Sequence, residues 1–340
     1  MGEKLGDRAL DDAAAGKAVG EKGMRLIYPK LRAHAAARVR TRSKGRSKGR
    51  SNGAVKLKSM SLRFFCNALF ATLCLVKAVH ASPPCDEFVA RLPNMQRALC
   101  EGAALQPTSA RSVKGRTIWM RDIEPEDARL RVLVVGAIHG DELSSASVAM
   151  HWLRLAGQAP ADTPQTVHWR FIPALNPDGL FSKPPSRVNA SGVDLNRNFP
   201  TPNWQRDAKI YWEKRTRKDP RRYPGPKPLS EPESKFLHDE MVRFKPQLIV
   251  SIHAPYGVLD FDGPSVPPSR LGRLYLDQVG IFPGSLGNYG GVHKGVPVVT
   301  VELPNSTRTP LDAEMRQMWL DLLRWMSERL DTPKSLAAKP

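Results

Sequence analysis

The stretch Arg129-Leu-Arg-Val-Leu-Val-Val-Gly-Ala-Ile-His-Gly-Asp-Glu142 decides how the chain is read. Val132 to Val135 are consecutive apolar residues, mostly β-branched, which favours extended backbone and leaves no polar face for solvent. A strand of this kind has to be covered on both sides, as in a parallel sheet flanked by helices. The apolar run stops at Gly136, and from Leu143 to Ala156 apolar residues recur at helical spacing. The junction between strand and helix is the edge at which open α/β sheets bind ligands. It carries His139 and Glu142, three residues apart, so that a tight turn brings an imidazole and a carboxylate to one cation. Gly136 and Gly140 free the backbone for that turn. Taken alone, His-x-x-Glu also arises by chance, and a helix start beside an unrelated histidine is the plainer reading.

The same alternation runs along the rest of the chain. Strands are predicted over Arg116–Asp122, Arg129–Ile138, Thr166–Ala174, Gln247–His253 and Val296–Leu303, and helices over Leu143–Ala156, Glu231–Phe244 and Leu311–Leu330. This implies one α/β domain, residues 116–330, with a mostly parallel sheet between helices. Residues 201–230 break the pattern. Trp204, Tyr211, Trp212 and Tyr223 lie there among Arg and Lys, followed by Pro224-Gly-Pro226. The expectation is a long ordered loop bordering a binding site, with one short helix around Arg206–Glu213.

With 340 residues and 41% hydrophobic content the chain is ample for a buried core, and its formal net charge is +19. That excess would suit a nucleic-acid partner, but it is unevenly placed. Residues 1–59 carry 16 Lys/Arg against 5 Asp/Glu, including the run Arg38 to Arg50, which has no apolar periodicity to fold around. From Met60 the chain reads as a signal peptide over residues 60–81: a basic start at Arg63, an apolar run from Phe64 to Val76, and small residues at Val79-His80-Ala81. Met60 is therefore expected to be the initiator, residues 1–59 an upstream basic segment, and the mature chain to begin near Ser82. The product would be periplasmic or secreted, with no stable membrane insertion; an uncleaved N-terminal anchor is the competing reading. No nucleic-acid partner is expected. Within residues 82–115, Cys85 and Cys100 form an even pair in a chain bound for an oxidising compartment, and a disulfide between them is expected. Residues 331–340 read as a tail.

Three further clusters bear on chemistry. Ser251-Ile-His253 ends an apolar strand and offers a third cation ligand, although a lone histidine there is more often structural. Thr300-Val-Glu302 ends another apolar strand with a carboxylate, a costly position for a charge without a partner or a role; beside a metal it would take a proton from water as general base. The loop from Arg187 to Pro200, with Gly192-Val-Asp-Leu-Asn196-Arg197-Asn198-Phe199 inside it, follows Asn176-Pro-Asp-Gly179. Loops this dense in Asn, Asp and Gly are normally turns, yet Arg beside Asn is also a carboxylate pocket, because a guanidinium grips carboxylate with two parallel hydrogen bonds.

His139-x-x-Glu142, Asn196-Arg197, His253 and Glu302, in this order, resemble the zinc carboxypeptidase family. With Leu229-Ser-Glu-Pro-Glu233 and Pro283-Gly-Ser-Leu-Gly287 they are most similar to its bacterial murein peptide amidase branch, over roughly Arg129 to Trp325. The resemblance implies a mixed sheet of about eight strands covered by helices on both faces. It also implies one zinc ion and hydrolysis of an amide beside a free carboxylate in a small peptide, with a cell-wall γ-D-glutamyl–diaminopimelate unit as the substrate class. Carried over by motif, His139, Glu142 and His253 are zinc ligands and Glu302 the general base. Arg187 polarises the scissile carbonyl, and Asn196 and Arg197 hold the terminal carboxylate. The mobile tyrosine of digestive members has no counterpart at its spacing among Leu276–Phe282, and Tyr289 is the candidate for a related contact. Two other readings compete: a deacylase of the succinylglutamate desuccinylase and aspartoacylase type, and a non-catalytic binding protein of the same fold.

Overall fold

The β-branched runs become the centre of one sheet. The computed structural model describes residues 84–158 and 166–330; the expected basic segment 1–59, signal peptide 60–81 and tail 331–340 lie outside them. Helices α1 (Cys85–Arg91) and α2 (Arg97–Gly102) lead into β1 (Gln106–Arg111), β2 (Thr117–Ile123) and β3 (Leu130–Val135). Then follow α3 (Leu143–Gly157), β4 (Val167–Ile172), the short α4 (Pro177–Phe181) and α5 (Trp204–Ile210), and α6 (Pro232–Phe244). The chain continues with β5 (Leu248–His253), β6 (Leu259–Asp262), a ribbon of β7 (Arg270–Leu271) and β8 (Leu274–Tyr275), β9 (Val298–Glu302) and α7 (Asp312–Arg329).

The sheet order is β1-β2-β4-β3-β5-β9-β6. Its four inner strands β4, β3, β5 and β9 are parallel, and antiparallel strands close both sides. Among the described residues this main sheet has seven strands against the expected eight or so, and β7–β8 forms a separate pair. The strands missing from the sequence reading are the edges. Gln106-Pro-Thr-Ser-Ala-Arg111 has almost nothing apolar to bury, and Leu259-Asp-Phe-Asp262 is only four residues long.

Side-chain alternation divides the core into two layers. Val132 and Val134 pack with Trp152 of α3 and Trp319 and Leu322 of α7 on one face; Leu133 and Val135 pack with Leu237 and Met241 of α6 on the other. Each such fully buried aliphatic side chain contributes about 1.5–3 kcal/mol. The N-terminal helices join the first layer: Cys85 and Cys100 are disulfide-bonded with Cα atoms 5.6 Å apart, and Phe88 stacks on Phe181 at 5.6 Å. No helix among the described residues is long and apolar enough to cross a membrane.

Candidate metal centre

The parallel strands all end on one edge, and the chemistry gathers there. After β3 the backbone turns through residues 136–142 into α3. Neither Gly136 nor Gly140 has a positive φ; that conformation falls to Ala137 at 42°. Gly140 is needed instead for close approach, because a Cβ there would lie 2.3 Å from the carbonyl carbon of Gly179. Ser145 fixes the turn: its Oγ accepts from the Ala137 N–H at 2.9 Å and donates to the Glu142 carbonyl at 2.6 Å. His253 and Glu302 end β5 and β9, opposite one another in the parallel ladder.

These elements bring His139, Glu142 and His253 together, all buried, with donor atoms within 4.8 Å of one another. His139 Nδ1 lies 2.7 Å from Glu142 Oε1, His253 Nδ1 3.0 Å from Glu142 Oε2, and the two Nδ1 atoms 3.2 Å apart. Donors about 2.0–2.1 Å from a shared tetrahedral zinc ion stand at separations of this size. Each imidazole has its other nitrogen held from outside: His139 Nε2 by Asp194 Oδ1 at 3.1 Å and His253 Nε2 by Ser251 Oγ at 3.0 Å. Such outer partners fix the tautomer and aim the ligand nitrogen. Two imidazoles and one carboxylate, with a fourth position left for water, form the donor set of a catalytic zinc site. Beside it the buried Glu302 has an Oε2 without a hydrogen-bond partner among the described residues, a group that a cation and its water would satisfy.

Charge and burial oppose each other here. Burial disfavours the Glu142 carboxylate, but the two imidazoles outweigh it and hold the group well below its usual range. Burial and the Arg187 cation work against a charged His139, yet the carboxylates of Glu142 and Asp194 raise it. In His253 burial prevails and lowers it. Glu302 is raised by burial and then by the negative Glu142. Asp194 is held down despite burial, by Arg187 and His139.

Asp194 is the residue whose part the sequence reading missed. It takes Arg187 Nε and Nη2 at 3.1 and 3.0 Å on one oxygen while facing His139 with the other. Arg187 Nη1 stays 3.6 Å from Glu142 Oε1. The available signal was its place two residues before Asn196, but an Asp in an Asn- and Gly-rich loop reads as a turn former. Asn196 and Arg197 follow on a single helical turn. The Asn196 side-chain oxygen accepts from the Leu286 N–H at 2.8 Å. The Arg197 guanidinium lies 4.5 Å from the Phe282 ring centre, with a buried Nε lacking a hydrogen-bond partner among the described residues.

The loop 201–230 borders this edge. Asn198 pins its far end: the side-chain amide donates to the carbonyls of Pro224 and Lys227 and to Ser230 Oγ, while its oxygen accepts from Glu231 N–H. Arg221 reaches back to pair with Asp141, between the two ligands of the first turn, at 2.8 Å. Tyr289 is not brought to the cluster. It is 3% exposed, stacked on Phe199 at 5.8 Å and against His238 at 5.7 Å, in the layer beneath α6. Its helical turn faces the sheet, so the ring is drawn into the core.

The zinc carboxypeptidase profile matches residues 104–260. Murein peptide amidase A of Escherichia coli (strain K12) is 30% identical over 208 residues, covering 59% of this chain and 82% of that protein. The protein of the same name from Vibrio campbellii is 31% identical over 235 residues, covering 67% and 88%. The carboxypeptidase A structure from Helicoverpa armigera shares the fold, with a TM-score of 0.50 at 16% identity over 66% of this chain and 69% of that one. The chain belongs to the zinc carboxypeptidase family. It is a zinc-dependent peptide hydrolase whose His-Glu-His set is positioned for one metal ion.

Proposed function

We propose that the protein is an exported amidase that cleaves a cell-wall peptide at an amide bond next to a free carboxylate, with Glu302 as general base. The observation that carries the reaction is the pairing of Glu302 with His253 across β5 and β9, which sets an unsatisfied carboxyl beside the metal ligands. The likeness to murein peptide amidases supports the substrate class, and the signal-like segment at 60–81 supports export.

His139, Glu142 and His253 would hold the zinc ion. Zinc in such a site would supply a Lewis acid and lower the pKa of a bound water toward about 7. Glu302 takes a proton from the attacking water as its oxygen bonds to the carbonyl carbon. Arg187 keeps two nitrogens on Asp194 and turns Nη1 to the carbonyl oxygen as charge develops there. Arg197 and Asn196 hold the carboxylate of the leaving residue, the guanidinium kept flat by Phe282. When the carbon–nitrogen bond breaks, Glu302 delivers its proton to the departing amine, which leaves it ready for the next water.

The test is to incubate the zinc-loaded protein with murein tripeptide, ordinary C-terminal dipeptides and N-acyl amino acids, with and without a chelator. Chelator-sensitive release of diaminopimelate alone is expected. Cleavage of N-acyl amino acids without peptide cleavage would replace this reading with the deacylase one.

A further inference from the structure

Behind the metal centre stand two buried carboxylates that the proposed reaction does not use. Glu231 and Glu233 lie at the start of α6, and no Lys, Arg or His pairs with either among the described residues. Buried carboxylates without a cation need hydrogen-bond donors to stay in the fold. The Asn189 side-chain amide supplies one to each: Nδ2 donates to Glu231 Oε2 at 2.7 Å and to Glu233 Oε2 at 3.0 Å. Their other oxygens accept from Ser230 Oγ at 2.7 Å and from the Val113 N–H at 3.1 Å. Burial raises the Glu233 carboxyl, and the hydrogen bond from Asn189 acts against it.

The rest of Asn189 closes a short loop. Its Oδ1 accepts from the N–H groups of Ser191 and Val193, both at 3.1 Å, and its own N–H donates to the Val193 carbonyl at 3.0 Å. Gly192, with φ of 77°, takes the left-handed conformation this turn requires. Closure at Asn189 and Val193 brings together the chain on either side of the loop, and those flanks carry Arg187 and Asp194. Arg187 Nη2 accordingly meets Asp194 Oδ2 at 3.0 Å, while Asp194 Oδ1 faces His139 Nε2 at 3.1 Å. Asn189 makes no hydrogen bond to a metal ligand among the described residues. Both polar atoms of its side chain are spent on holding this loop in one place.

We propose that Asn189, clamped between Glu231 and Glu233, is a positioning residue for the zinc site: it sets where Asp194 meets His139, and zinc affinity depends on it. This rests on His139 as a zinc ligand and on no particular substrate. Removing a partner that hydrogen-bonds a ligand from outside typically weakens metal binding by about 10–100-fold. Asn189 acts one step further out, through Asp194, so the lower end of that range applies.

The experiment measures zinc affinity by chelator competition in Asn189→Ala, Asp194→Ala and the double variant, at a temperature where circular dichroism shows them folded. Asn189→Ala is expected to bind zinc about tenfold more weakly, and to add less than about twofold once Asp194 is already replaced. Its cobalt(II) form is expected to show shifted visible absorption bands, because His139 is held differently. Asn189→Ser is the second variant: its hydroxyl can still accept from the Val193 N–H but is too short for both carboxylates, and the same coupling to Asp194 is expected. Parental affinity in both variants, unshifted cobalt bands, an equal loss with and without the Asp194 carboxylate, or failure of both variants to fold would overturn the proposal. His139→Ala tests the ligand assignment by itself. Unaltered zinc affinity there removes His139 from the metal; a large loss there, with no coupling between Asn189 and Asp194, removes the positioning role and leaves the ligand in place.

Discussion

His253 and Glu302 face each other as neighbours in the parallel ladder, the last paired residues of β5 and β9. A residue of the metal-binding set and the proposed proton carrier are thus set apart by the spacing of adjacent strands, about 4.8 Å, and not by a loop. Removing the carboxylate's basicity should leave the ligands where they are. Glu302→Gln is expected to keep one zinc per chain by elemental analysis while kcat falls by about 10²–10⁴. Unaltered turnover in that variant would remove Glu302 from the reaction.

Asp194 serves His139 and Arg187 with separate oxygens. Asp194→Asn keeps the shape and loses the charge that stabilises both. Zinc affinity, read by competition with a chelator, should drop about 10–100-fold. If affinity holds and only catalysis falls, Asp194 acts through Arg187 alone.

Asp262 gives a pH signature of stability. Its folded pKa is raised from the ordinary 3.8 to about 7, by burial and by Asp260. A raised carboxyl favours the folded state fully below the unfolded pKa and loses that contribution as pH rises through the folded one. Asp262→Asn, which cannot ionise, should match the parent near pH 4 and unfold about 2–4 °C higher at pH 8, on the order of 1 kcal/mol. Thermal melts at the two pH values decide it, and a gain of equal size at both would assign the effect to packing.

Gly140 allows the ligand turn to lie against the α4 backbone. The atoms met by an added Cβ are main chain and cannot swing aside, so Gly140→Ala must shift the turn. Loss of about 1–3 kcal/mol is expected, together with weaker zinc binding, measured by denaturant melts with and without metal. A variant as stable and as tight as the parent would contradict this packing.

Residues whose burial is periodic were legible in the sequence. Val132 to Val135, Leu248 to Val250 and Val298 to Val301 announced the parallel centre because both of their faces are apolar. The metal ligands were legible for a related reason: each sits where such a run stops, at a strand end whose position the run itself gives. Edge strands were not, since β1 buries little and β6 alternates Leu259 and Phe261 with two acids that look solvent-facing in isolation. The role of Asp194 depends on His139, 55 residues earlier in the chain, and no local pattern reports that distance. Tyr289 was assigned by spacing to the acid; the direction its helical turn faces, which decides its place, is a property of packing.

The pin at Asn198 divides the rim of the cleft into a fixed part and an exchangeable one. The 224–230 end of the segment closes on it, while Trp204 Nε1 ties the other end to the Arg197 carbonyl and Arg221 pairs with Asp141, so the stretch from Gln205 to Pro220 stands between these ties. Insertions or transplanted sequence in that stretch would alter which peptides can enter, while the residues that break the bond keep their geometry. Substrate range can therefore be varied on this scaffold without rebuilding its reactive machinery.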